Sequence, residues 1–279
     1  MSGVTVVELE TVSQALARAR DALTAAGCEA PRLDAELLLA LALRIDRAAL
    51  VTHPDRVLDA ESRRRCDALV ARRAAREPIA YIVGRRAFRH IEVAVDTRVL
   101  IPRPETEHLV EAALELAHGA RVVDVGTGSG AVALALKHER PDLRVTATDV
   151  SAGALEVAAA NARGLGMEVT LRQCDLLAGA GGPFDAVVAN LPYVVDGELD
   201  GLAPEITRYE PRAALAGGSD GLGPLRRLVG QLGATPFVAL EVGAGQAGAV
   251  AALLRDAGAR DVDARRDLAG IERVVVAKR

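Results

Sequence analysis

The spacing of apolar positions along this chain changes twice. From Ser13, read as a helix cap, to Ala26 the apolar residues Leu16, Ala19 and Leu23 recur at helical spacing, and Gly27 closes the run. A second helical stretch covers 33–43, with Leu37, Leu38 and Leu41 facing inward. A third covers 59–76, burying Cys66, Leu69 and Val70 and turning Arg63, Arg64, Arg65, Arg72 and Arg73 outward. Three helices with short links predict a small bundle. Pro78 ends it. Ile91, Val93 and Val95 then alternate with polar or small residues, which predicts a strand within a linker hairpin.

Beyond Thr106 the pattern alternates strand and helix. Strands are predicted at 121–125, 144–148, 168–172, 184–189, 237–242, 261–265 and 271–277, and helices at 107–118, 130–139, 152–163, 223–232 and 246–257. Such alternation predicts a parallel sheet covered on both faces, with a ligand beyond the carboxyl ends of its strands. The expected organisation is a helical domain at 1–76, a hairpin linker at 77–105 and an α/β domain with a Rossmann-like seven-stranded sheet at 106–279.

Composition narrows the function. Half of the 279 residues are hydrophobic and only 2% are aromatic, so the core must be aliphatic. A net charge of -4 argues against a general nucleic-acid binder. Cys28, Cys66 and Cys174 are far apart and no histidine pair has ligand spacing, so reduced thiols and no metal site are expected. Residues 1–10 carry no basic or apolar segment of signal-peptide type, and the longest apolar run, 37–43, is too short for a membrane span; a cytoplasmic protein is expected.

The glycine-rich segment Gly126, Thr127, Gly128, Ser129 and Gly130 follows an apolar strand and opens a helix. Alternate glycines allow a tight turn and close approach of a ligand, and a helix start offers N–H groups. Asp149 ends the next strand, where a carboxylate can accept from a ribose diol. An adenosine-containing cofactor is implied, but Gly126, Gly128 and Ala131 satisfy the dinucleotide pattern too. The tetrapeptide Asn190-Leu191-Pro192-Tyr193 ends the fourth strand. An asparagine oxygen can accept from an amino or amide nitrogen, proline withholds an N–H, and a tyrosine ring can pack on a planar group. An amide nitrogen is a weak nucleophile, so acceptors aimed at its hydrogens would both position it and favour its developing charge.

At these residues the chain resembles the release factor glutamine methyltransferase family. The likeness extends over 10–279. It includes Arg76-Glu77-Pro78, Pro102-Arg103-Pro104-Glu105-Thr106-Glu107, the glycine loop, Asp149, Asn161-Ala162, the tetrapeptide, Tyr209-Glu210-Pro211, Gly217-Gly218, and Glu241-Val242-Gly243 with Gln246. The resemblance implies a methyltransferase sheet using S-adenosylmethionine. It implies methylation of the side-chain nitrogen of the glutamine in the Gly-Gly-Gln motif of peptide-chain release factors. Cofactor contacts would fall to Gly126, Thr127, Gly128, Ser129, Gly130, Asp149, Leu176 and Asn190; substrate contacts to Asn190, Leu191, Pro192 and Tyr193; catalysis to Asn190, Pro192 and Tyr193. The helical domain would help hold the release factor, with no membrane and no nucleic-acid substrate.

The chain departs from the family at Leu191, where proline is usual, and at Leu176, where an aromatic is. Leu191 would reduce rigidity rather than chemistry, and its replacement by proline is expected to leave activity unchanged or improve it. The leucine form also resembles the tetrapeptide of ribosomal RNA adenine dimethyltransferases. The alternatives are a glutamine methyltransferase of a ribosomal protein, an RNA adenine N6-methyltransferase and a non-catalytic cofactor-binding protein. The arginines between Arg63 and Arg89 read as a solvated helix face or as a docking surface for an acidic partner.

Overall fold

The computed structural model describes residues 10–279; the reading of the first residues as lacking a signal peptide falls mostly on 1–9, outside the described residues. The chain divides into two compact units. One comprises residues up to Gly84 together with 204–209, and the other comprises 85–203 and 210–279.

The first unit is built from α1 (Val12–Ala25), α2 (Pro31–Leu43), α3 (Arg47–Thr52), α4 (Ala60–Ala74) and α5 (Ile79–Val83). The cap of α1 is Thr11 rather than Ser13. Thr11 accepts from Gln14 N–H, while the Gln14 side chain accepts from Thr11 N–H, a reciprocal pair that Ser13 lacks because Leu16 stands three residues on. Leu38 and Leu39 are buried in α2 and Leu41 is exposed. In an apolar run as continuous as 37–43 the helical period cannot say which side faces in. The short helix after Pro78 was not expected; Gly84, left-handed at φ 79°, stops it after one turn. Leu23, Leu38, Leu39, Leu50, Cys66 and Val70 fill the core.

Within this unit a charged network is buried. Arg73 donates to Asp34 (2.7 Å) and to Glu205 (2.9 Å), and Arg76 grips Glu205 through two bonds of 2.7 Å. The Tyr209 hydroxyl donates to the Ala75 carbonyl.

The second unit opens with an antiparallel hairpin, β1 (Arg85–Phe88) and β2 (Ile91–Ala94). Then follow α6 (Glu107–Ala113), β3 (Arg121–Val125), α7 (Ala131–Glu139), β4 (Arg144–Asp149), α8 (Ala152–Leu165), β5 (Thr170–Gln173) and β6 (Ala186–Ala189). The helix α9 (Pro204–Tyr209) belongs to the first unit; α10 (Gly223–Val229), β7 (Phe237–Glu241), α11 (Ala247–Asp256), β8 (Asp261–Arg266) and β9 (Glu272–Lys278) complete the second.

The seven strands form one sheet in the order β5-β4-β3-β6-β7-β9-β8. All seven were legible in the apolar pattern, but the sheet is mixed rather than parallel: β9 runs antiparallel to both β7 and β8. The link between β8 and β9 is too short for a crossover, which needs a dozen or more residues, so it turns back as a hairpin. The middle strands β3, β6 and β7 are buried along almost their whole length. Strand order reverses between β3 and β6, and a crevice opens there beyond their carboxyl ends.

Removing Asp34 leaves two buried or half-buried guanidinium groups, Arg73 and Arg76, sharing the one carboxylate of Glu205. Asp34→Ala should destabilise the protein by about 3–5 kcal/mol in denaturant titration; a loss below about 1 kcal/mol would contradict this account of the network.

Candidate active site

The turn after β3 places three glycines at positive φ, Gly126 (74°), Gly128 (56°) and Gly130 (83°). The first has a second constraint. A Cβ on Gly126 would stand 3.0 Å from Leu191 Cδ2 and 3.7 Å from the Asn190 carbonyl oxygen. The glycine turn and the tetrapeptide are therefore in contact.

The amides of this turn are used within the protein. Gly126 and Thr127 N–H both donate to the Thr148 carbonyl, Gly128 N–H to Asp149 Oδ2, and Gly130 N–H to the Thr127 carbonyl. The expected open set of donors is thus largely closed. Beneath the turn, the Asp124 carboxyl is buried and accepts from Thr127 Oγ1 (2.6 Å) and Ala133 N–H (3.2 Å), joining the strand end to the start of α7. Burial pushes this carboxyl up to about 6. Asn161 on α8 secures the other side, pairing with both the N–H and the carbonyl of Ala94 and donating to the Ser129 carbonyl.

The tetrapeptide is clamped from three directions. The Asn190 Nδ2 donates to Thr106 Oγ1 at 3.0 Å. The Tyr193 hydroxyl donates to Glu241 Oε1 at 3.3 Å, and the Tyr193 carbonyl accepts from Gln246 Nε2 at 3.0 Å. A Cβ on Gly221 would lie only 2.4 Å from the Tyr193 oxygen, so that glycine makes room for the backbone itself. Burial, with the neighbouring Glu241, raises the Tyr193 phenol well above its ordinary value. Burial likewise lifts Glu241 to about 7 and raises Glu210, whose other oxygen accepts from Arg103 at 2.6 Å.

A cleft of about 390 Å³ opens beside these groups, within the usual range for ligand pockets. Of the residues singled out from the sequence, Gly126, Gly128, Asp149, Leu176, Asn190, Leu191 and Pro192 line it. Thr127, Ser129, Gly130 and Tyr193 do not: the Thr127 hydroxyl turns inward to Asp124, Ser129 is buried, and Tyr193 packs behind the tetrapeptide. Apolar walls come from Val125, Val150, Ala154 and Leu176, and Leu176 is held at φ 58° with its carbonyl accepting from Thr148. Asp149 Oδ1 accepts from Ser151 N–H.

Thr106, Glu241 and Gln246 stood in the family-like strings without an assigned role. Glu241 had a sequence signal, a lone carboxylate closing an apolar strand at the sheet's carboxyl edge. Thr106 had none, because it meets Asn190 only through the fold.

The arginine stretch is largely engaged in internal ion pairs: Arg63 with Glu10, Arg65 with Glu61, Arg72 with Glu77, Arg73 with Asp34, Arg76 with Glu205, Arg85 with Glu92 and Arg89 with Glu139. Among the described residues, no group of three His, Cys, Asp or Glu side chains is assembled that could hold a metal, and no helix is long and apolar enough to cross a membrane.

Residues 14–84 match the family model described as PrmC N-terminal domain, and 103–216 match that described as methyltransferase small domain. A release factor glutamine methyltransferase of Burkholderia pseudomallei is 45% identical over 282 residues, covering 95% of this chain and 97% of its own length. One from Rhodospirillum rubrum is 41% identical over 265 residues, covering 92% and 82%. The catalytic domain of hMettl16, solved with a MAT2A 3′UTR hairpin, superposes with a TM-score of 0.56 at 16% identity over 75% of this chain and 81% of that one, a likeness of fold alone. Fold and family models together define an α/β methyltransferase. At this identity over nearly full length, the chain belongs to the release factor glutamine methyltransferase family.

Two outcomes follow from the site's packing and its acids. Leu191 is buried in the sheet core and touches the Gly126 position. Leu191→Pro should therefore cost about 1–3 kcal/mol in chemical denaturation, through lost packing; unchanged stability would refute this. Asp124 and Glu241 hold their protons more tightly folded than unfolded. Their contribution to stability is present below the unfolded carboxylate range and is lost as pH rises through about 6 and about 7. The thermal midpoint should fall between about pH 5 and about pH 8, and Asp124→Asn should flatten the lower part of that decline. A midpoint rising over this window would contradict the assignment.

Proposed function

We propose that this enzyme transfers a methyl group from S-adenosylmethionine to the side-chain nitrogen of a glutamine, and that the glutamine is that of the Gly-Gly-Gln motif of peptide-chain release factors. The observation that carries the reading is the orientation of Asn190. Its Nδ2 is engaged by Thr106, so Oδ1 is the end left for the cleft, where it can accept from an NH2 group.

The cleft suits the cofactor. Gly126 and Gly128 offer a surface without side chains, Asp149 a carboxylate for the ribose hydroxyls, and Leu176, Val150 and Ala154 apolar walls for the adenine. A dinucleotide's pyrophosphate needs free amides at a glycine turn. Here four are already bonded, which favours a cofactor without phosphates. S-adenosylmethionine supplies an electrophilic methyl group. Asn190 holds the nucleophilic nitrogen and stabilises the charge it gains, and Pro192 fixes the chain beside it. No strong base is required, since the nitrogen becomes acidic once methylated. The helical unit is the part that would hold the protein substrate; with most of its arginines internally paired, recognition there does not rest on a simple basic face.

The test is transfer of labelled methyl from S-adenosylmethionine to a full-length release factor, with a ribosomal protein and rRNA fragments as parallel substrates. Label on the Gly-Gly-Gln peptide is expected; label only on rRNA or on neither would overturn the proposal. Asn190→Ala should lower kcat by about 100-fold with little change in cofactor affinity. Asp149→Ala should weaken cofactor binding by about ten-fold or more.

A further inference from the structure

Asn161 is buried and does not line the cleft, yet both stretches of chain that it joins lead into it. It stands on α8, on the face that also carries Ala154 and Ala158. Ala154 lines the cleft, and a Cβ on Gly130 would stand 3.2 Å from Ala158 Cβ, so the glycine turn rests against this face. Asn161 adds three hydrogen bonds. Its Nδ2 donates to the Ser129 carbonyl at 2.8 Å and to the Ala94 carbonyl at 3.0 Å, and its Oδ1 accepts from Ala94 N–H at 2.8 Å.

These partners permit one orientation of the amide. Turned over, it would set its oxygen against two carbonyl oxygens and its NH2 against an N–H, away from water. Asn161 thus fixes two backbones at once. Ser129 follows Gly128, which lines the cleft on one side. Ala94 ends β2, and four residues later Arg98, Val99 and Leu100 line the cleft as a second wall. The link between is short and tied down: Arg98 N–H donates to Asp96 Oδ1, Val99 N–H donates to the Asp96 carbonyl, and Val95 and Val99 are buried. Arg98 meets α8 again through Glu156 at 2.9 Å, but that pair is exposed, and such pairs contribute little. The buried tie is the one at Asn161.

We propose that Asn161 is a positioning residue for the cofactor: by pinning the end of β2 to the glycine turn, it sets the separation between that turn and the wall at 98–100, and with it the cofactor affinity. That the occupant is S-adenosylmethionine rests on the methyl-transfer reading; the coupling of the two walls does not. Asn190, which would hold the methyl acceptor, is carried by β6 and bonded to Thr106, so the clamp at Asn161 acts on binding rather than on turnover.

The experiment compares Asn161→Ala, which removes all three bonds, with Asn161→Asp, which keeps the shape and the acceptor but loses both donors. On the full chain, at a temperature where each variant is folded, three quantities are measured: S-adenosylhomocysteine Kd by calorimetry, kcat with the cofactor KM, and backbone amide exchange by NMR. Both variants should raise Kd and cofactor KM about ten-fold or more, leave kcat at saturating cofactor within about two-fold, and speed exchange at 94–100. A variant that loses thermal stability while its Kd stays unchanged, or one whose kcat falls while Kd holds, would show a role in folding alone and overturn the proposal. The wild type supplies a check that needs no variant to fold. Binding of S-adenosylhomocysteine should slow exchange at the Ala94 amide, which does not line the cleft; binding without that slowing would also overturn it. If the variants speed exchange at 94–100 while the wild type binds no S-adenosylhomocysteine, the coupling of the walls stands and the cofactor assignment falls.

Discussion

The second unit is organised by one steric constraint: the main chain of 190–193 runs where neighbouring residues can have no side chain. At one end the Gly126 Cβ position falls against Leu191 and the Asn190 carbonyl; at the other, a Cβ added to Gly217 or Gly221 would stand within 3 Å of a Tyr193 backbone atom. A tetrapeptide gripped this way cannot slide, and groups attached to it are held to the precision that positional catalysis requires. The glycines far apart in sequence are thus parts of one slot. The strand ends that carry Gly126 and Asn190 meet because β3 and β6 are adjacent at the reversal of strand order.

The acids around that slot act mainly as acceptors. Asp124 joins the glycine turn to α7, Glu241 accepts from the Tyr193 hydroxyl, and Glu210 receives Arg103. Each is buried, and burial makes each a weaker acid than in water. None of them lines the cleft, so none is placed to take a proton from a group bound there. Their place in the structure agrees with chemistry carried by orientation and dipoles. The string Pro102-Arg103-Pro104-Glu105-Thr106-Glu107 gains a meaning residue by residue: Arg103 reaches Glu210, Thr106 reaches Asn190, and Glu107 accepts from Arg89 N–H.

Charge in the helical unit follows a different logic. Arg73 is buried beside Asp34 and shares Glu205 with Arg76, so a segment from late in the chain, α9, is fastened to helices from its start. Arg72 and Arg73 are neighbours on one helix, yet one is exposed and paired with Glu77 while the other lies in the core. Reading both as one solvated face fails because helical neighbours point about 100° apart.

Sequence by itself determined the seven strands, the helices that separate them, the glycine turn, Asp149 and the position of the tetrapeptide. All of these are local patterns, set by the period of apolar residues and by the conformations that glycine and proline permit. It misjudged the cap of α1, the inward face of α2 and the direction of β9, where competing local signals or a short link had to be weighed. What only the tertiary structure decided is which groups meet. Thr106 and Asn190 are 84 residues apart and Tyr193 and Glu241 are 48 apart. The Thr127 hydroxyl points down to Asp124 rather than out to the cleft, and Leu191 serves the core as well as the site. Hydrogen-bond direction, burial and their effect on acidity arise from neighbours in space, and no spacing along the chain encodes them.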